Sequence, residues 1–205
     1  MKVIILGGFL GSGKTTALLS LVKYLNVQKD PSKEVSTAIL ENEIGEIGVD
    51  DQILSFGDYK VSTLFSGCIC CTMASDLTQC INTITQKYQP ETILIEATGL
   101  AYPDRIADVI SKYAPDCTMI TILVLVDAER WDENIDELYG MMSRQIHAGN
   151  SVLLNKTDCI NLEDQVRIIK EIKAIHPKGN VLSVNARNGI SKEQWNEILG
   201  NGQET

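Results

Sequence analysis

Short apolar runs alternate with amphipathic stretches along the whole chain. Lys2–Leu6, Val35–Leu40, Val61–Leu64, Thr92–Glu96, Thr118–Val126, Ser151–Asn155 and Asn180–Val184 read as strands. Between them, apolar positions recur at helical spacing. They predict helices near Lys14–Tyr24, Ala74–Tyr88, Asp104–Tyr113, Asn134–His147, Leu162–Ile175 and Lys192–Leu199. Pro90 marks the stop of the second helix. Continuous apolar runs such as ITILVLV, Ile120–Val126, suit strands covered on both faces. Strand and helix alternating in this way predict an α/β fold, a mainly parallel sheet with helices on both faces. No internal repeat or linker interrupts the pattern. The expectation is a single domain over 1–200 with a frayed polar tail at 201–205.

Composition narrows the partners. The 205 residues are 44% hydrophobic and 22% charged, ordinary values for a chain that builds a full core. A formal net charge of −9 argues against nucleic acid and anionic membrane as partners. The opening apolar run, Val3–Leu6, is too short for the core of a signal peptide, and glycines with Lys14 follow at once. No run approaches a membrane span. The expected location is the cytoplasm, where thiols stay reduced. Six cysteines there point to metal or redox chemistry rather than to a disulfide framework.

Candidate chemistry begins at GFLGSGKT, Gly8–Thr15, between a predicted strand and a predicted helix. It fits G-x-x-x-x-G-K-[ST], the phosphate-binding loop of P-loop NTPases. Gly8, Gly11, Ser12 and Gly13 let backbone N–H groups surround phosphates, and the helix N-terminus after them favours negative charge. Lys14 is expected to reach the β and γ phosphates, Thr15 to ligate Mg²⁺, and Thr16 to line the nucleotide. NKTD, Asn155–Asp158, follows a strand directly, and an acid there accepts from both guanine N1–H and its exocyclic amine. Asn155, Lys156 and Asp158 thereby favour GTP over ATP. Asn185 and Ala186, after the last strand, are expected to brace the base through backbone groups.

Two further strand ends carry candidates. Glu96 closes Thr92–Glu96, where an acid holds Mg²⁺ through water, and Gly99 lets the backbone approach the γ-phosphate. ENEIGEIGVDD, Glu41–Asp51, puts five carboxylates into eleven residues, a repulsive arrangement unless a cation is near. It reads as a nucleotide-sensing switch. GCICC, Gly67–Cys71, places Cys68, Cys70 and Cys71 between a strand and a helix. Three adjacent thiols suit Zn²⁺ or a similar soft-tolerant ion. Cys80, Cys117 and Cys159 stand alone and read as packing residues, as do Trp131 and Trp195. His147 and His176 lie at helix ends, where positive charge suits the dipole, and neither is read as a metal ligand.

Taken together, GGFLGSGKTT, ENEIGEIGVD, GCICC, EATGLAYP and NKTD resemble the CobW-type branch of the CobW/HypB/UreG family of P-loop GTPases. The resemblance covers the N-terminal GTPase domain; members of the branch usually continue into a second domain, often with a histidine-rich stretch. It implies a metal-responsive GTPase that hydrolyses GTP to GDP slowly. Such a protein acts as a metallochaperone or in maturation of a client metalloprotein or corrinoid enzyme. By the same resemblance Cys68, Cys70 and Cys71 bind Zn²⁺, Co²⁺ or Ni²⁺, with Glu41, Glu43 or Glu46 as carboxylate neighbours. A homodimer across the nucleotide face is compatible with this class. Where members usually read Ser-Ala-Lys, this chain has Asn185-Ala186-Arg187. The alternative reading is a docking switch set by nucleotide and metal, with little intrinsic hydrolysis.

Overall fold

The computed structural model describes residues 1–27, 36–41, 53–56, 59–63 and 74–200. Its strands are β1 (Lys2–Gly7), β2 (Thr37–Glu41), β3 (Ile53–Phe56), β4 (Tyr59–Thr63), β5 (Thr92–Glu96), β6 (Met119–Asp127), β7 (Ser151–Asn155) and β8 (Asn180–Ser183). Helices α1 (Lys14–Val27), α2 (Ala74–Tyr88), α3 (Pro103–Tyr113), α4 (Trp131–Ala148), α5 (Leu162–Ile175) and α6 (Lys192–Ile198) lie between and after them. The strands form one sheet in the order β3-β4-β2-β5-β1-β6-β7-β8. All pairings are parallel except β3 with β4, so the expected mainly parallel sheet is present with an antiparallel strand at one edge.

Side-chain alternation along each strand sorts the core into two layers. Val3 and Ile5 of β1, Ile93 and Ile95 of β5, and Val124 and Val126 of β6 face one side. There they meet Ile81 and Ile84 of α2, Ile106 and Ile110 of α3, Ile146 of α4 and Ile172 of α5. Ile4, Leu6, Leu94, Leu123 and Leu125 face the other side, against Leu18 and Leu21 of α1 and Trp195 of α6. Every central strand is therefore apolar at consecutive positions, because both faces are covered. Truncating a wholly buried side chain such as Ile95 or Leu94 to Ala costs about 2–5 kcal/mol. Both tryptophans are packing residues: Trp131 and Trp195 are 1% and 0% exposed. Their indole N–H groups donate to Glu171 and to the Ser20 hydroxyl.

Local chemistry sets the helix starts. Asn161 accepts from the Asp164 N–H at 2.8 Å and caps α5. Ser191 and Gln194 form a reciprocal capping box on α6. Pro103 opens α3, where its missing N–H has no intrahelical role.

Several expected boundaries are corrected. Helix α4 begins at Trp131 and not at Asn134, because Trp131 is itself anchored in the core and Asp132 and Glu133 suit a first turn. Helix α1 runs on to Val27, beyond Tyr24. Strand β4 spans Tyr59–Thr63, earlier than Val61–Leu64, because it pairs with a strand the sequence reading missed. That strand, β3, runs antiparallel to β4 and pairs Phe56 with Tyr59. Among the described residues, no helix is long and apolar enough to cross a membrane.

Candidate functional site

Parallel pairing brings the carboxyl ends of β1, β2, β5, β6, β7 and β8 to one edge of the sheet. Open sheets of this kind bind ligands there. The phosphate loop leaves the central strand β1 and leads into α1, whose first residue is Lys14. Gly13 adopts φ +94°, and a side chain at that position would run into the Asn155 amide. Glycine is required there for both reasons.

Lys14 is only 7% exposed and donates to the carbonyls of Gly8 and Phe9 at 3.1 and 3.2 Å. Burial lowers its pKa from the ordinary lysine value, while the carboxylate of Glu96 acts in the opposite direction. The Thr15 hydroxyl donates to Glu96 Oε1 at 2.8 Å, joining the start of α1 to the end of β5. A hydroxyl beside a carboxylate forms an all-oxygen donor pair suited to a hard divalent cation such as Mg²⁺. Glu96 also stands in register with Glu41 of the neighbouring strand β2, so the backbone ends of β5 and β2 lie side by side.

The ends of β7 and β8 meet the Gly8–Thr15 loop through the side chain of Asn155. Asn155, 3% exposed, donates from Nδ2 to the Ser12 carbonyl at 2.8 Å and accepts at Oδ1 from the Ala186 N–H at 2.9 Å. One amide thus links Gly8–Thr15, NKTD and the turn Ala186–Asn188. Lys156 lies in the left-handed region at φ +62°, uncommon for lysine. Its ammonium is anchored by Asp127 Oδ2 at 2.6 Å. Thr157 donates to the Val184 carbonyl at 3.2 Å, and Asn185 caps its own turn by accepting from Asn188 N–H. Asp158 is exposed at the rim of this cluster. A cavity of about 540 Å³ opens between α1 and the 186–190 loop, with Thr16, Ser20, Lys23, Ala186 and Arg187 in its walls.

Two residues of this edge escaped the sequence reading. Asp127, buried at the end of β6, accepts from Lys156 and from the N–H groups of Glu129 and Arg130. An acid closing a long apolar run was a readable signal for it. Gln145, 1% exposed in α4, donates to the carbonyls of Gly99 and Ala101 at 3.1 and 2.8 Å. Arg144, the preceding residue, pairs with Asp104 at 2.8 Å and lies over the Tyr102 ring. Helix α4 thereby grips the segment that follows β5. No local pattern marks Gln145.

Of the sequence candidates, Gly8, Gly11, Ser12, Gly13, Lys14, Thr15, Thr16, Glu96, Gly99, Asn155, Lys156, Asp158, Asn185 and Ala186 lie along this one edge. Glu43, Glu46, Cys68, Cys70 and Cys71 fall outside the described residues, and Glu41 is described only as the end of β2. Strand β4 runs parallel to β2 and ends at Thr63; α2 resumes at Ala74.

Residues 2–183 match the family model described as CobW/HypB/UreG, nucleotide-binding domain. The chain is 31% identical over 153 residues to the zinc chaperone YeiR of Escherichia coli K12, an alignment covering 74% of this chain and 45% of that protein. It is 32% identical over 166 residues to the zinc chaperone YjiA of the same organism, covering 77% and 50%. The chain spans about half the length of the curated relatives it matches. In fold it is similar to the crystal structure of Zn(II)-bound YjiA GTPase from E. coli, with TM-score 0.64, 23% identity and coverage of 93% of this chain and 59% of that one. The hydrogenase maturation factor HypB of Archaeoglobus fulgidus gives TM-score 0.59 at 16% identity, covering 98% and 89%.

Proposed function

The chain belongs to the CobW/HypB/UreG family, and from that premise we propose that it is a metal-responsive GTPase acting as a metallochaperone. The observation that carries the nucleotide half of this reading is the Asn155 amide, which ties the phosphate loop to the base-side turn. A triphosphate at this edge would meet the backbone N–H groups of Gly11–Thr15. Lys14 would exchange its bonds to Gly8 and Phe9 for phosphate oxygens. Thr15 and Glu96 would hold Mg²⁺, which when bound neutralises phosphate charge. Gly99, its carbonyl held by Gln145, would present its N–H toward the γ-phosphate. Asp158 would accept from the guanine edge, with Thr16, Asn185 and Ala186 bordering the base.

The cargo half rests on chemistry and kinship. Cys68, Cys70 and Cys71 form a thiol set suited to Zn²⁺, with Co²⁺ and Ni²⁺ as competitors and Glu41, Glu43 and Glu46 as carboxylate neighbours. The relatives named zinc chaperones support zinc. The cargo would pass to a client metalloprotein. Register of Glu41 with Glu96 supports communication, since the acidic loop starts beside the strand end expected to hold Mg²⁺.

If GTP reorders that edge, it changes metal affinity, and metal changes GTP affinity by the same factor. The test is Zn²⁺ titration with GDP and with a non-hydrolysable GTP analogue, repeated after Cys68, Cys70 and Cys71 are changed to Ser. The expected difference between nucleotide states is about 5- to 150-fold. Equal zinc affinity in both states would sink the coupling. Steady-state turnover with and without a client separates the GTPase from a docking switch that hydrolyses little.

A further inference from the structure

The chain has two histidines, and the fold places them together. His147 is in the last turn of α4 and His176 caps the carboxyl end of α5. Their ring centroids are 5.2 Å apart, at an interplanar angle of 54°. They lie near the amino end of β7, about 13 Å along that strand from the start of NKTD, by the four rises of roughly 3.3 Å between Ser151 and Asn155. The pair is thus remote from the nucleotide edge.

We propose that His147 and His176 form a second transition-metal site, taking Zn²⁺ or Ni²⁺ with water completing the coordination. Three observations converge. First, His176 Nε2 is 3.0 Å from the Gly149 carbonyl. A carbonyl only accepts, so Nε2 carries the proton and Nδ1 keeps the lone pair in the neutral ring. Ring nitrogens of metal-bound histidines are commonly oriented in this way, the opposite N–H donating to a backbone carbonyl. Second, the spacing fits. With a Zn–N distance of about 2.0–2.1 Å, each ring centroid stands about 3.2 Å from the ion, and two rings across a tetrahedral angle have centroids about 5.2 Å apart. Third, the His176 ring is held in place by packing. It lies against Gly179, where a Cβ would overlap the ring, so only glycine permits this placement.

The electrostatics are balanced. The carboxyl ends of two helices favour a cation, while the exposed Lys173 and Lys178 oppose one. Two imidazoles and these offsetting fields define an exchangeable site rather than a permanent one. It could accept metal from solution while the thiol set is occupied.

The test uses the full chain with Cys68, Cys70 and Cys71 changed to Ser and its histidines labelled with ¹⁵N. Zn²⁺ is then titrated while the imidazole ¹H–¹⁵N spectra are recorded. Both rings should respond to one binding event, with His176 Nε2 remaining protonated and Nδ1 moving to the metal-bound position. His147→Gln, at an exposed position, should weaken binding at least tenfold and abolish the response of His176. Gly179→Ala keeps both imidazoles but displaces one; it should weaken binding about tenfold, the scale seen when the group orienting a ligand is lost. Histidine spectra unmoved by excess Zn²⁺ would overturn the proposal. So would a His176 response that survives His147→Gln at unchanged affinity.

Discussion

Asn155→Ala removes a side chain that joins three segments of the nucleotide edge. Two buried backbone groups lose their partners: the Ser12 carbonyl and the Ala186 N–H. Each orphaned group costs about 1–3 kcal/mol, and water entering the vacated volume relieves part of that. A net loss of about 2–4 kcal/mol follows, a large share of the roughly 5–15 kcal/mol that stabilises an ordinary domain. With a urea m-value near 2 kcal/mol/M, the unfolding midpoint should fall by about 1–2 M. Both fully buried tryptophans report the transition by fluorescence. Asn155→Asp is the sharper variant: it keeps an acceptor for Ala186 N–H but sets a carboxylate oxygen against the Ser12 carbonyl. It should be at least as damaging as Ala. A midpoint within about 0.2 M of the parent for both variants would refute the bridging role, since that corresponds to less than half a kcal/mol.

The other predictions concern neighbouring groups. Burial depresses the Lys14 pKa, so the nucleotide-free fold gains stability as pH rises from the depressed value toward the ordinary one near 10.4. The stability of Lys14→Met minus that of the parent should therefore shrink as pH rises toward the ordinary lysine value, read from urea midpoints; a constant difference would contradict the burial cost. Lys14→Met should also abolish GTP hydrolysis, and undiminished turnover would exclude this loop as the hydrolytic site. Asp158→Asn should lose GTP and gain xanthosine triphosphate, whose ring carbonyl accepts from the new amide; retained preference for GTP over ATP would reduce NKTD to a turn. Gln145→Leu leaves the Gly99 and Ala101 carbonyls without their donor and should lower hydrolysis while base preference stays intact. A parallel loss of guanine preference would show that α4 acts more globally.

The readable parts of this molecule are those whose signals are local. Gly8–Thr15 needs glycines and a lysine at fixed spacing, and the alternation of β1, β5, β6 and β7 is written in consecutive residues. Gln145 was opaque because its partners Gly99 and Ala101 lie 46 and 44 residues away, while Asp127 was marked only as an acid closing an apolar run, its lysine partner lying 29 residues on. Only the folded sheet brings those partners near. β3 was missed because ILSF is short and carries no clear periodicity of its own; only its antiparallel pairing with β4 defines it. The histidines do lie at helix ends as read, and their proximity was hidden for the same reason: only the packing of α4 on α5 brings the two rings together.

Strand order has an evolutionary corollary. Because β1 is central, β6, β7 and β8 lie to one side with NKTD and the Ala186–Asn188 turn, while β5, β2, β4 and β3 lie to the other with the segment leading toward the cysteines. The two flanks touch the phosphate loop through separate contacts, Asn155 on one side and Glu96 on the other. None of the Asn155 contacts involves the β2–β4 flank: they run to Ser12 and Ala186. Such a layout lets descendants of one ancestor exchange the ion they carry without renegotiating which nucleotide drives them.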